Sequence, residues 1–288
     1  MIHMQSKRKR DLVVYFSPSG NTRKVANIIV DALNQIGQKP VILDLVERDG
    51  QGHKKLAFDT LNQGGCLWVG SPVYAHHALP QVTDFISGLP VIENGYAVPF
   101  VTYGGVTSGM GLYEMGKILT EKGFKLIGAA KVLSVHSMMW QSKNPLGEGH
   151  PNGDDVAILL DLVKAVQEKI SRPDTMKPLA PDQLNYQSKV NQDKFFPDNI
   201  EVTKKIFLPM KFEAALCSKC GICEQECPTG NISLEPSFRF GDDCIFCYNC
   251  VRNCETEAIT NDIFDVIEDR LRLVASEYSE PLMSQIFL

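Results

Sequence analysis

No apolar run in this chain reaches the roughly 18 residues of a membrane-spanning helix. No cleavable leader is expected from the N-terminal residues either. Lys7, Arg8, Lys9 and Arg10 precede an apolar stretch, but Leu12 to Phe16 is short and runs into Ser17-Pro18-Ser19-Gly20 without a small-residue cleavage site. These absences predict a cytoplasmic protein with no membrane span. That compartment is reducing, so nine cysteines point to metal rather than disulfides. The G-x-G-x-x-G fingerprint is absent, as is the Lys-Ser/Thr pair of a Walker loop, which disfavours a dinucleotide or nucleoside triphosphate. Basic charge is not in excess. The formal net charge is −5, and from Phe212 onward 14 Asp and Glu face 5 Lys and Arg, a formal −9 against +4 for the rest. This balance argues against a nucleic-acid partner.

What the chain does have suits about two domains: 288 residues, 44% of them hydrophobic. Residues 11–170 alternate apolar strand-like runs (12–16, 41–45, 66–70, 97–103, 125–136) with segments of helical period (22–36, 54–61, 81–89, 112–122, 154–170). Strands alternating with helices predict an α/β, doubly wound, five-stranded parallel sheet covered on both faces. Residues 171–211 carry Pro173, Pro178, Pro181, Pro197 and Pro209 with no sustained period, and are expected to form a long connection. Residues 212–288 form a second body with its own core, containing eight cysteines and a C-terminal helix over 262–276. The apolar ending Leu282, Met283, Ile286, Phe287 and Leu288 is expected to dock on something.

The cysteines fall into two blocks that start 27 residues apart. The first is Cys217-x-x-Cys220-x-x-Cys223-x-x-x-Cys227-Pro228, the second Cys244-x-x-Cys247-x-x-Cys250-x-x-x-Cys254-Glu255. Three thiolates at this spacing wrap one iron–sulfur cube, and the fourth reaches the other cube. The predicted ligand sets are therefore Cys217, Cys220, Cys223 and Cys254 for one [4Fe–4S] cluster, and Cys244, Cys247, Cys250 and Cys227 for a second. Zinc ribbons also use C-x-x-C pairs, but with four ligands per site rather than two runs of four. Over about residues 212–260 the blocks resemble two-cluster bacterial ferredoxins, implying a small α+β domain. Cys66 stands apart and reads as a core thiol.

The turn after the first strand, Ser17-Pro18-Ser19-Gly20-Asn21-Thr22, offers hydroxyls, a glycine and free N–H groups at a helix N-terminus. Those groups suit a phosphate monoester, and equally suit simple helix capping. With Gly70-Ser71-Pro72-Val73-Tyr74 after the third strand and Thr102-Tyr103-Gly104-Gly105 after the fourth, residues 11–170 resemble a flavodoxin. That resemblance implies FMN, with Ser17, Ser19, Gly20, Asn21 and Thr22 at its phosphate. Ser71, Pro72, Val73, Tyr74, Thr102, Tyr103, Gly104 and Gly105 would form its other loops, with Tyr74 or Tyr103 stacking on the ring. His76, His77, Trp140 and His150 lie on segments bordering that site, where a histidine could supply a proton. The whole, from Tyr15–Gly20 through His136-Ser137 to the cysteine blocks, resembles flavodoxin–ferredoxin fusion proteins. The resemblance implies electron transfer between clusters and FMN, with redox partner proteins as donors or acceptors and a homodimer left open. A flavin-dependent reductase fed by the clusters, and a redox sensor, are the alternatives.

Overall fold

A computed structural model describes residues 10–47, 50–93, 95–207 and 210–288. Lys7, Arg8, Lys9 and Pro209, which entered the reading above, lie outside them. In β1 (Leu12–Tyr15), Leu12 and Val14 enter the core on one face and Val13 and Tyr15 the core on the other. A strand buried on both faces belongs inside a parallel sheet. Its partners are β2 (Val41–Asp44) and β3 (Cys66–Tyr74), and the sheet continues through β5 (Gly95–Tyr103) and β7 (Ala129–Leu133); β4 (His77–Ala78) hairpins onto β3, and β6 (Phe124–Leu126) pairs with β5. The strands run in the order β2-β1-β3-β5-β7, all parallel. This is the flavodoxin-like order, which reverses direction between β1 and β3. Helices α1 (Asn21–Gln35) and α5 (Gly153–Ser171) bury Val25, Ile29, Leu33, Leu159, Leu162 and Val166 on one face. Helices α2 (Gly50–Leu61), α3 (Pro80–Ser87) and α4 (Gly111–Glu121) cover the other with Leu61, Phe85, Ile86, Met115 and Leu119.

The predicted fifth strand over 125–136 is instead two short strands and a loop. Leu126 ends β6 still paired with Ala97, its carbonyl accepts from the Leu179 N–H at 2.7 Å, pairing with β5 resumes at β7 (Ala129–Leu133), and Ser134 to His136 leave the sheet.

The long connection over 172–207 is wrapped onto the fold rather than extended. Leu179, Leu184 and Phe195 are buried along it, and it forms α6 (Lys189–Phe195) and α7 (Ile200–Phe207). The Ser188 hydroxyl caps α6 by accepting from the Asn191 N–H at 3.2 Å. Full burial of Phe195 contributes about 1.5–3 kcal/mol, enough to hold so short a helix in place.

The cysteine-bearing segment is a small α+β unit. β8 (Lys211–Phe212) pairs antiparallel with β11 (Ile259–Thr260), and β9 (Ile232–Ser233) with β10 (Arg239–Phe240). Two short helices, α8 (Ile222–Gln225) and α9 (Asn249–Arg252), follow αL residues Gly221 and Tyr248. Then α10 (Ile267–Tyr278) leads back to the first sheet, where β12 (Gln285–Phe287) adds an antiparallel edge strand beside β7. The apolar C-terminus thus docks on the sheet, which gains a strand beyond the five expected. The cysteine-bearing segment has a cluster of its own, with Met210, Ile232, Phe246, Tyr248, Ile259 and Ile267, but it is not wholly separate: Ile245 and Cys247 pack into the apolar cluster that contains Leu12, Val69 and Leu79. Apolar residues flanking the cysteines are too large a share of so small a unit to be left in water.

Candidate functional site

Where the strand order reverses, the loops after β1, β3, β5 and β7 enclose a cavity of about 290 Å³. Ser19 and Asn21 line it from the first loop, Pro72, Val73 and Tyr74 from the second, Thr102, Tyr103 and Gly104 from the third, and Ser134 to Ser137 from the fourth. Gly20 caps α1 with φ +87, a conformation that side-chain-bearing residues avoid, and so aims the helix N-terminus at the cavity. Asn21 Nδ2 donates to the Val135 carbonyl at 2.8 Å, tying the first loop to the fourth. Ser134 Oγ is buried with no hydrogen-bond partner among the described residues, although it lines the cavity.

Other predicted residues do structural work beside the cavity. Ser17 Oγ accepts from the Arg23 N–H at 3.0 Å. Thr22 and Thr102 share a hydroxyl hydrogen bond at 2.8 Å. Ser71 Oγ accepts from the Leu79 N–H at 2.9 Å, and Gly105 lies against Leu146 and Gly147. The two tyrosines differ. Tyr74 borders the cavity with its ring 5.7 Å from that of Phe246. Tyr103 is buried, and its hydroxyl donates to the Met283 carbonyl at 3.0 Å, so the C-terminal segment holds it. Burial holds both phenols above their ordinary range, the nearby Glu280 adding to the effect at Tyr103.

The roof comes from residues that sequence reasoning did not single out. Thr203, Ile206 and Phe207 of α7, Phe246 between the cysteines of the second block, and Leu271, Val274 and Tyr278 of α10 close over the cavity. Phe207 stacks on Phe246 at 5.2 Å. Nothing local marks them; amphipathic periodicity told only that α10 has an apolar side. Of the histidines, His76 and His136 line the cavity. His136 is pushed down to about 4 by burial, and its Nδ1 accepts from the Met138 N–H at 3.3 Å. His77 is held outside by Glu114 and the Phe195 carbonyl; burial lowers it, but the Glu114 hydrogen bond and charge win and leave it raised. His150 pairs with Asp155 at 2.6 Å, and Trp140 lies under the Arg252 guanidinium at 4.9 Å.

A buried ion pair anchors the roof. Lys131 of β7 meets Glu280, just past α10, at 2.7 Å, with side chains 4% and 5% exposed. Thr107 Oγ1, Ser108 N–H and Gln187 Nε2 also donate to Glu280 at 2.8, 2.8 and 2.9 Å. Burial alone would raise this carboxyl, but the Lys131 and Ser108 donors hold it below its ordinary value.

The eight block cysteines surround two further cavities. Cys217, Cys220, Cys223 and Cys254 line one, and Cys227, Cys244, Cys247 and Cys250 the other. Backbone N–H groups point at sulfur: Lys219 at Cys217 (3.4 Å), Phe246 at Cys244 (3.4 Å) and Asn231 at Cys227 (3.2 Å). Such donors favour thiolate. Among the described residues no three His, Cys, Asp or Glu side chains converge closely enough to share one metal ion. Each set of four cysteines lines its own small cavity, an arrangement that suits corner ligation of a cube. The two cavities differ in depth. Cys227, Cys247 and Cys250 are buried, whereas Cys220 is exposed. The inner set adjoins the flavodoxin-like loops: Phe246 lies between Cys244 and Cys247 in sequence and roofs the large cavity. Arg252 Nη2 donates to the Ser137 carbonyl at 2.6 Å.

Residues 210–233 match the family model described as a 4Fe-4S binding domain, a stretch that includes Cys217, Cys220, Cys223 and Cys227. Together with the strand order, this makes the chain a flavodoxin-like fold joined to a ferredoxin-type segment. No curated protein matches the chain. Among solved structures, a flavodoxin from the domain Archaea is 17% identical, with 57% of this chain and 99% of that one covered and a TM-score of 0.40. Oxidised flavodoxin 2 from Bacillus cereus is 18% identical over 56% of this chain and 99% of its own, TM-score 0.42. Rubredoxin oxygen:oxidoreductase from Desulfovibrio gigas is 20% identical over 58% of this chain but 39% of its own, TM-score 0.43. The flavodoxin-like assignment rests on strand order and parallel pairing rather than on these likenesses. Among the described residues no helix is long and apolar enough to cross a membrane.

Proposed function

We propose that the protein transfers electrons between two [4Fe–4S] clusters and an FMN. Cys217, Cys220, Cys223 and Cys254 hold the outer cluster. Cys244, Cys247, Cys250 and Cys227 hold the inner one, and FMN occupies the cavity between the first loop and the roof. The observation that carries this reading is the crossed partition of the cysteines, with the inner set abutting the large cavity through Phe246 and Tyr74. Three centres then lie in a row from the surface inward. Clusters pass single electrons and a flavin accepts one or two, so the row converts between the two modes. Ser19, Asn21 and the α1 N-terminus suit the FMN phosphate, and the unpartnered Ser134 hydroxyl suits a polar ring edge. Redox partner proteins would meet the exposed outer cluster, whose segment carries the −9 charge.

Anaerobic purification tests the reading. The protein should contain about eight irons and one FMN per chain, as two cubes and one flavin demand. Iron near two per chain with matching zinc removes the cluster claim, and FAD or no flavin removes the cavity claim.

A further inference from the structure

Iron–sulfur clusters deliver electrons alone, whereas a flavin that accepts two electrons takes up at least one proton with them. Under the reading above the cavity therefore needs a proton supply separate from its electron supply. His76 lines the cavity. Its Nε2 lies 3.2 Å from Asp198 Oδ2 and 3.3 Å from the Tyr278 hydroxyl, and its Nδ1 makes no hydrogen bond among the described residues. His76, Asp198 and Tyr278 all line the cavity, and Asp198, with its side chain 38% exposed against 15% for His76, is the member of the pair that also reaches solvent.

The position of this ring is built rather than incidental. Ala75 and His76 both have positive φ, 47 and 70, a conformation that costs free energy and persists only where surroundings enforce it. The His76 carbonyl accepts from the Met110 N–H at 2.7 Å, and a Cβ on Gly109 would come within 2.0 Å of that oxygen. The ring stacks on Phe195 at 4.3 Å and meets Tyr278 edge-on at 5.3 Å. Asp198, Tyr278 and the neighbouring His77 are the titratable groups around it, with Lys194 over the far side of Tyr278.

We infer that His76 and Asp198 form the proton path between solvent and the flavin cavity. A proton collected at Asp198 passes to His76 Nε2 as the ring releases the one on Nδ1 into the cavity. Asp198 recovers its proton from water, and a half-turn of the neutral ring about Cβ–Cγ restores an N–H towards the cavity. Only N–H and O–H bonds change, and the net movement is one proton from water to cavity. A relay of this kind works with a neutral ring. Burial pushes His76 down to about 4 against the opposing pull of Asp198, so it is neutral at pH 7. Other cavity groups serve less well. His136 has no carboxylate partner among the described residues, and Tyr74 and Tyr103 are held protonated.

This inference rests on the FMN reading, and the test keeps the two apart. FMN affinity of the full chain with both clusters is measured first; if the parent does not bind FMN, the functional reading falls. His76→Gln, Asp198→Asn and a control, Asp193→Asn, are then reduced anaerobically with dithionite in stopped flow. Cluster bleaching, flavin bleaching and proton uptake by an indicator dye are followed separately in H₂O and D₂O. Asp198→Asn and His76→Gln should keep parental cluster bleaching, and because both residues line the cavity each variant is compared with the parent at FMN saturation. Flavin bleaching and proton uptake should slow by about 100-fold, the scale of a lost general acid–base group, with a larger solvent isotope effect. Asp193→Asn should match the parent. Parental proton uptake in both variants overturns the path. So does loss of FMN binding in Asp198→Asn, because that would make the carboxylate part of the binding site.

Discussion

The side-chain amide of Asn249 donates to the Pro18 carbonyl at 2.7 Å. Asn249 precedes Cys250 and Pro18 lies in the first loop of the flavodoxin-like domain, so one side chain ties the inner cysteine set to the proposed phosphate loop. The same Nδ2 lies 3.2 Å from the carbonyl of Glu226, next to Cys227. Asn249→Ala should leave buried acceptors unsatisfied at about 1–3 kcal/mol. The expected result is weaker FMN binding together with a changed inner-cluster EPR signal and an unchanged outer one. Fluorescence titration and EPR on the same sample check both halves.

Cysteine substitutions should not behave alike. Cys220 is exposed, so Cys220→Ala is expected to damage the outer cluster and leave FMN affinity intact. Cys247 packs against the core under the sheet, so Cys247→Ala should damage the inner cluster and weaken FMN binding too. Cys227→Ala should disturb the inner cluster, although it belongs to the first block. Iron content and EPR of each variant decide this; an intact inner-cluster spectrum in Cys227→Ala would reject the crossed ligand sets.

Ser19 and Thr22 separate binding from architecture. Ser19 lines the cavity, and Ser19→Ala should lower FMN affinity by about 1.5–3 kcal/mol, the scale of a hydrogen bond to a charged group, with riboflavin affinity unchanged. The Thr22 hydroxyl is already paired with Thr102 in the buried interior. Thr22→Ala should therefore weaken both ligands equally, and comparing the two flavins measures the difference.

The roof depends on Lys131 and Glu280. Lys131→Met leaves a buried carboxylate without its cation, which costs about 3–5 kcal/mol, whereas Lys131→Met with Glu280→Leu should recover most of that loss. The Glu280 carboxyl is held below its ordinary value in the folded protein. Its contribution is thus present above the ordinary carboxylate pKa and disappears as pH falls through the lowered one. Urea unfolding of the parent at pH 7 and pH 4 should show this acid limb, and the double variant should have less of it.

Continuous apolar runs alternating with segments of helical period in residues 11–170 led to the parallel sheet, because a strand buried on both faces shows it in its own side chains. The 125–136 strand misled, since an apolar run does not show that a distant Leu179 will claim one of its carbonyls. Within the connection expected over 171–211, the helices at 189–195 and 200–207 were not legible because the buried anchors Leu179, Leu184 and Phe195 follow no single period.

The local sequence determined the loop after β1, the cysteine spacing and the alternation of strands with helices, since turn geometry and burial patterns act over a few residues, whereas the strand order was an implication of the flavodoxin resemblance. Only the tertiary structure decided that β12 completes the first sheet, that Tyr103 is bound to the C-terminal segment, and that the second cysteine block is the one facing the cavity. It also decided that α7 and α10 form the cavity roof and that Asp198 meets His76. Those choices depend on which apolar surfaces meet when the two parts of the chain fold against each other. Burial rewards any good fit between distant surfaces, and no short-range pattern records which one wins.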